Sequence, residues 1–151
     1  MEPRMNLAKL APEAYQHMLG LEQFLERSPL PKTIKELVKL RVSQVNGCAY
    51  CVDMHSHDLK HAGETDERLF AVVAWREAPY FTEQERAALA LAEEATRLGP
   101  EGVSDEIWHQ AAKHFDEPAL AALVVAIATI NAWNRYGVTL RLVAGSHRKA
   151  A

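Results

Sequence analysis

The chain has 151 residues, 48% apolar and 25% charged, enough to bury a core as one domain and unlike a disordered or membrane-embedded polypeptide. Its formal net charge of -3, with both signs interspersed, excludes the concentrated basic surface that nucleic-acid binding requires. The basic run His147-Arg148-Lys149 is short and terminal and reads as a solvated tail.

Arg4 and Lys9 sit among few apolar residues at the start, so that segment lacks the apolar core of a secretory signal. Pro12 suits the first turn of a helix reaching about Ser28, with Tyr15, Met18, Leu21 and Leu25 as its apolar stripe. Pro29 to Pro31 ends it, and Pro31 opens a second helix in which Ile34, Leu37, Val38, Val42 and Val45 recur at three- and four-residue steps. Asn46-Gly47 stops that helix, because Gly47 readily takes the left-handed conformation. A segment from Cys48 to Ala62 ends at Gly63, and Thr65 can cap a helix through Ala78 that Pro79 terminates. Thr82 followed by Glu85 is a capping-box spacing before an alanine-rich helix to Leu98. Ser104 can cap a shorter helix to about Phe115.

Pro118 opens the most apolar helix, and Tyr136-Gly137 predicts a break or bend before a terminal helix. The uncharged stretch from Pro118 to Asn134 is shorter than the roughly 20 apolar residues of a membrane span, so it reads as a buried central helix. There is no sustained period-two alternation and no hairpin signal. The expected fold is all-α, a single-domain bundle of about six to eight helices spanning residues 1–151, with no membrane contact.

Both cysteines fall in Cys48-Ala49-Tyr50-Cys51, and His55 follows four residues later. At about 100° per residue, with Cys51 as zero, His55 lies at roughly 40° and Cys48 at roughly 60°. The three side chains therefore share one narrow helix face. Cys48 also sits where unpaired backbone N–H groups and the helix dipole favour a thiolate. The dipole typically contributes about 0.3–1 kcal/mol. Making a thiol of pKa about 8.5 mostly ionised at neutral pH needs about two units, or roughly 2.7 kcal/mol. An imidazole one turn from Cys51 can supply the remainder.

A disulfide across i,i+3 strains a regular helix, since Cβ atoms there are about 5–6 Å apart and the bond wants about 3.5–4.5 Å. So short a loop constrains the unfolded chain little, which favours a cycling disulfide over a structural one. With no signal segment the expected compartment is a reducing cytoplasm, where paired cysteines are catalytic or metal-binding. Structural zinc needs four ligands, and Cys48, Cys51 and His55 supply three. His57 and His61 point away on the same wheel and read as solvent-facing. Trp75, Trp108 and Trp133 read as packing or interface residues.

At these residues the sequence resembles the alkyl hydroperoxidase D-like branch of the carboxymuconolactone decarboxylase family. Its redox-active members share Glu, eleven residues, Cys-x-x-Cys, three residues, His, and Glu36, Cys48, Cys51 and His55 fit that spacing without gaps. The resemblance continues in Glu36-Leu37-Val38-Lys39-Leu40-Arg41, in Ala74-Trp75-Arg76-Glu77-Ala78-Pro79, in Thr82 to Ala90 and in Ile130-Asn131-Ala132-Trp133-Asn134-Arg135. The last two segments resemble a subgroup of peroxidase-related proteins.

By that resemblance Cys51 is the peroxidatic thiol, Cys48 the resolving one, His55 the proton acceptor and Glu36 the group that orients it or completes a proton relay. The resemblance implies a peroxide substrate, a lipoyl- or thioredoxin-type dithiol donor, and a homo-oligomer (dimer, trimer or hexamer). No organic or metal cofactor is required. Some members carry a histidine between the cysteines where this chain has Tyr50. Asp58, three residues past His55, is a further candidate to orient the imidazole, although a surface carboxylate is its plainer reading. Two other functions compete with an enzyme of this kind: a non-catalytic redox sensor or partner-binding module, and, from the wider family name, a lactone decarboxylase. The decarboxylase branch does not use paired cysteines.

Overall fold

The computed structural model describes residues 2–148 and is all-helical, with no strand among the described residues. A short α1 (Leu7–Leu10) is capped by the Asn6 side chain, and α2 (Pro12–Arg27) starts at the proline. Next, α3 (Lys32–Asn46) ends at Gly47, whose φ of 67° is the left-handed stop its sequence called for. Then α4 (Ala49–His61) begins at Cys48 as N-cap.

The following helix is shorter than the sequence suggested. Thr65 caps α5 (Asp66–Ala71), and a 3-10 turn, Val72–Ala74, followed by non-helical backbone to Ala78, replaces the rest. The unwound stretch is held by Arg86, which donates to the carbonyls of Trp75, Arg76, Ala78 and Phe81. One guanidinium thus satisfies acceptors that a continued helix would have paired internally.

Thr82 and Glu85 form the expected capping box on α6 (Glu83–Arg97), and Ser104 caps α7 (Asp105–His114). The long α8 (Glu117–Leu140), capped by Asp116, runs unbroken through Gly137, so the predicted break is not there, and no terminal helix follows among the described residues. It is long and apolar enough to cross a membrane, yet half of its most apolar window is buried against the other helices. Burial on the core side explains its apolarity without a bilayer. Arg4 pins the N-terminal segment to its end, donating from its backbone N to the Leu140 carbonyl at 2.9 Å and from its side chain to that of Thr139 at 2.9 Å.

The bundle is built around α3, which packs against α4, α6 and α8, and every residue from Ile34 to Ser43 is buried. Two hydrophobic clusters flank it, one with α8 and the cysteines, the other with Leu59, Val72, Trp75 and Phe81. Polar bonds set the register between them. Asn46 donates to Asn131 and Asn134 at 2.9 Å each, and Asn134 donates to Ser43 at 3.0 Å. Glu93 gathers Arg41, Trp75 and Arg76 with bonds of 2.6, 2.9 and 2.5 Å, joining α3, the unwound stretch and α6. Burial alone would raise the Glu93 carboxyl, but hydrogen bonds from Arg76, Trp75 and Arg41 hold it at about 2.

The basic run near the C-terminus is not a free tail as far as it is described. Asp53 of α4 accepts from the Gly145 N–H at 2.8 Å and from Arg148 at 2.9 Å, and His147 stacks edge-on against Tyr50. Lys149 lies outside the described residues.

Candidate functional site

Cys48 takes an extended backbone, φ -85° and ψ 93°, so it stands just outside α4 while Cys51 lies in the first turn. That departure from helix resolves the difficulty of bonding across three residues. The Cα atoms are 5.4 Å apart, within the ordinary disulfide range, and the two sulfurs are joined. The Cys51 N–H points to the Cys48 sulfur at 3.4 Å, so one of the free donors in the first turn of α4 serves Cys48.

Both cysteines are buried, at 1% exposure for Cys48 and 2% for Cys51, but their settings differ. Cys51 lines a cavity of about 870 Å³, together with Glu36, His55, Tyr50 and Trp133. Cys48 is not among the lining residues and packs against Gly137 of α8. A Cβ at Gly137 would sit 2.7 Å from the Cys48 sulfur and 3.4 Å from that of Cys51. The glycine read as a helix break is instead the gap that admits the sulfurs.

His55, one turn beyond Cys51, is 4% exposed, and its Nδ1 lies 2.9 Å from Glu36 Oε2. Its Nε2 is buried without a protein partner. Burial pushes the Glu36 carboxyl up, but the hydrogen bond and charge of His55, with the ammonium groups of Lys39 and Lys35, hold it below the usual carboxylate range. An ionised carboxylate can only accept, so Nδ1 carries the proton in this pair and Nε2 is the basic nitrogen when the imidazole is neutral. All four predicted residues, Glu36, Cys48, Cys51 and His55, are thus gathered at one place where α3, α4 and α8 meet.

Asp58 is exposed, as its surface reading had it, and also lines the cavity. Donor atoms of Glu36, His55 and Asp58 lie within 4.8 Å of one another, but two ammonium groups 3.8 Å from Glu36 oppose a cation there. His57 is half-buried rather than solvent-facing; it stacks on His61 at 4.0 Å and lies edge-on to His147. Tyr50 packs on His147, and burial, reinforced by Tyr15, pushes its phenol up, so it is a neutral wall of the site. Trp133 is more than packing. It stands between Tyr15 and Tyr136, at 5.5 and 5.9 Å edge to face, and the three line the cavity while its Nε1 donates to Glu22 at 3.0 Å.

Three features escaped the sequence reading: Gly137, Trp133 as a cavity wall, and the lysines beside Glu36. The lysines had a signal. Glu22 and Glu26 are four apart, as are Lys35 and Lys39, and a chain doubling back at Pro29 to Pro31 pairs 22 with 39 and 26 with 35.

The profile of the carboxymuconolactone decarboxylase family matches residues 11–94. The uncharacterized protein YdfG of Bacillus subtilis (strain 168) is 39% identical over 140 residues, covering 93% of this chain and 95% of that one. The uncharacterized protein YnjA of Escherichia coli (strain K12) is 34% identical over 119 residues, covering 79% and 65%. A crystal structure from Agrobacterium tumefaciens, of a protein of unknown function described as a candidate antioxidant defence protein AhpD, superposes with a TM-score of 0.91 at 37% identity, covering 95% and 98%. The debrominase Bmp8 shares the fold, with a TM-score of 0.80 at 22% identity, covering 89% and 73%.

Proposed function

The chain belongs to the carboxymuconolactone decarboxylase family, and within it we propose a thiol-dependent hydroperoxidase-like oxidoreductase working through a Cys48–Cys51 disulfide cycle. One observation carries this reading: Cys51 borders the cavity one turn from an imidazole bonded to a buried carboxylate, while Cys48 stands behind it within bonding reach. The likeness, across nearly the whole chain, to the structure described as a candidate antioxidant defence protein AhpD supports it.

In the reaction, His55 Nε2 takes the Cys51 thiol proton. The thiolate attacks the terminal region of the peroxide, the O–O bond breaks, Cys51 becomes a sulfenic acid, and the departing alkoxide takes up a proton as an alcohol. The Cys48 thiol then displaces water from the sulfenic acid to form the disulfide. A dithiol donor of lipoyl or thioredoxin type reduces it by exchange and leaves as its own disulfide. The proposal includes a cytoplasmic setting and assembly as a homo-oligomer.

The test is steady-state peroxide consumption with a panel of dithiol donors. Cys51→Ser should abolish turnover, and Cys48→Ser should leave a sulfenic acid that a dimedone-type reagent traps. Full activity in Cys51→Ser would end the proposal. Stoichiometric oxidation without turnover by any donor would favour the redox-sensor reading instead.

A further inference from the structure

Lys35 and Lys39 are 1% and 3% exposed, values rare for an ammonium group unless it is paired. Each has a partner on α2: Lys35 bonds Glu26, and Lys39 bonds Glu22 at 2.5 Å. Each also lies 3.8 Å from the same atom, Glu36 Oε1, while Glu36 Oε2 accepts from His55. The two oxygens of one carboxylate are therefore divided between a pair of cations and the imidazole.

Burying such a strip is costly, and hydrophobic residues of similar volume would often serve stability as well. Its arrangement suits another purpose. Glu36 is desolvated, which favours its neutral form. A neutral Glu36 would present an O–H to His55 Nδ1, and Nε2 would then hold the proton and lose its basicity.

We propose that Lys35 and Lys39 are positioning residues that keep Glu36 ionised, so that His55 donates through Nδ1 and receives the Cys51 proton at Nε2. This rests on the thiol-oxidoreductase reading above. The step moves one proton from the Cys51 sulfur to Nε2, leaving a thiolate and an imidazolium, with no change of oxidation state. The other titratable groups around Glu36 are Glu22, Glu26 and Tyr15 of α2, Asp58 of α4 and Tyr136 of α8; Tyr50 of α4 borders the same cavity. None of these is a fixed cation; Lys35 and Lys39, each 3.8 Å from Glu36 Oε1, bring positive charge to it.

Two readouts test the proposal. The first is the pH at which the Glu36 carboxyl protonates, followed by carboxyl carbon NMR. The second is the pH dependence of Cys51 alkylation by iodoacetamide in a Cys48→Ser background, which does not depend on peroxide turnover. Lys39→Met keeps the volume and removes the charge; Lys39→Met combined with Glu22→Gln removes the pair together, so that no carboxylate is stranded if the single variant folds poorly. Lys39→Met should raise the Glu36 titration by about one pH unit, the scale of one unit charge near 4 Å at water-like screening, and the double variant, which also removes the Glu22 negative charge, should raise it by less. The alkylation profile should lose reactivity on its acid side, where Glu36 now protonates, and Lys39→Arg should restore both.

Glu36→Gln serves as the reference. If Glu36→Gln moves the alkylation profile while the lysine variants leave it and the carboxyl titration at parent values, the lysine proposal falls and the relay stands. If Glu36→Gln leaves the profile unmoved, the relay fails and takes this proposal with it.

Discussion

Gly137→Ala perturbs the redox pair without touching a reacting atom. The added methyl would lie 2.7 Å from the Cys48 sulfur, closer than any ordinary contact, and 3.4 Å from that of Cys51. Overpacking of this kind costs typically about 1–3 kcal/mol. Alanine also favours the helix over glycine by about 0.5–1 kcal/mol, but that gain is common to the oxidised and reduced proteins and cancels between them. In the disulfide the Cys48 sulfur is tied in place beside Gly137, whereas a free thiol can rotate to another χ1 well. The clash therefore falls mainly on the oxidised state. At about 30 mV for each 1.4 kcal/mol, the couple should become more oxidising by roughly 20–65 mV. Equilibrating parent and variant in dithiothreitol redox buffers and counting free thiols measures this, with circular dichroism to verify the fold. A variant whose potential stays within about 10 mV of the parent, and whose reduced form gains stability as an ordinary helix glycine would, refutes the close-packing argument.

Glu93→Ala should destabilise the protein by about 3–5 kcal/mol in denaturant titrations, because it takes the carboxylate partner from the buried Arg41 guanidinium and the Trp75 indole donor. The same residue sets an acid limb. Its folded carboxyl titrates at about 2 against 4.5 when unperturbed, so its contribution is complete above the unfolded value and is lost as pH falls from about 4.5 to about 2. That loss should reach at most about 3 kcal/mol, and a Glu93→Gln variant should lack this part of the pH–stability curve. Thr82→Ala removes one half of the capping box on α6 and should cost about 1 kcal/mol by thermal or denaturant unfolding, with Thr82→Ser close to parent.

The helical class and most of its punctuation were legible because they depend on local chemistry. Gly47, Thr65, Thr82, Ser104 and Pro12 act within one turn of their own backbone, and each sits at a helix end where its residue type predicts. The placing of Cys51 and His55 one turn apart was legible for the same reason, since a helix repeats on a scale that spacing alone can resolve, whereas Cys48 stands just outside α4, where the helical wheel does not apply. Glu36 was reached through resemblance; nothing local distinguishes it from an exposed helical glutamate. The overlong reading of α5 failed because the competing partner, Arg86, lies on another helix.

Sequence by itself determined the helical class, most of the helix starts and stops, and that Cys51 and His55 share one side of α4. Tertiary structure alone decided that Cys51 borders the cavity while Cys48 does not, that two buried lysines converge on Glu36, and that Gly137 is there for clearance rather than as a breaker. The division has a physical cause. Backbone hydrogen bonds and caps are satisfied by neighbours a few residues away, whereas desolvation, charge pairing and steric room are set by whichever helices arrive from distant parts of the chain.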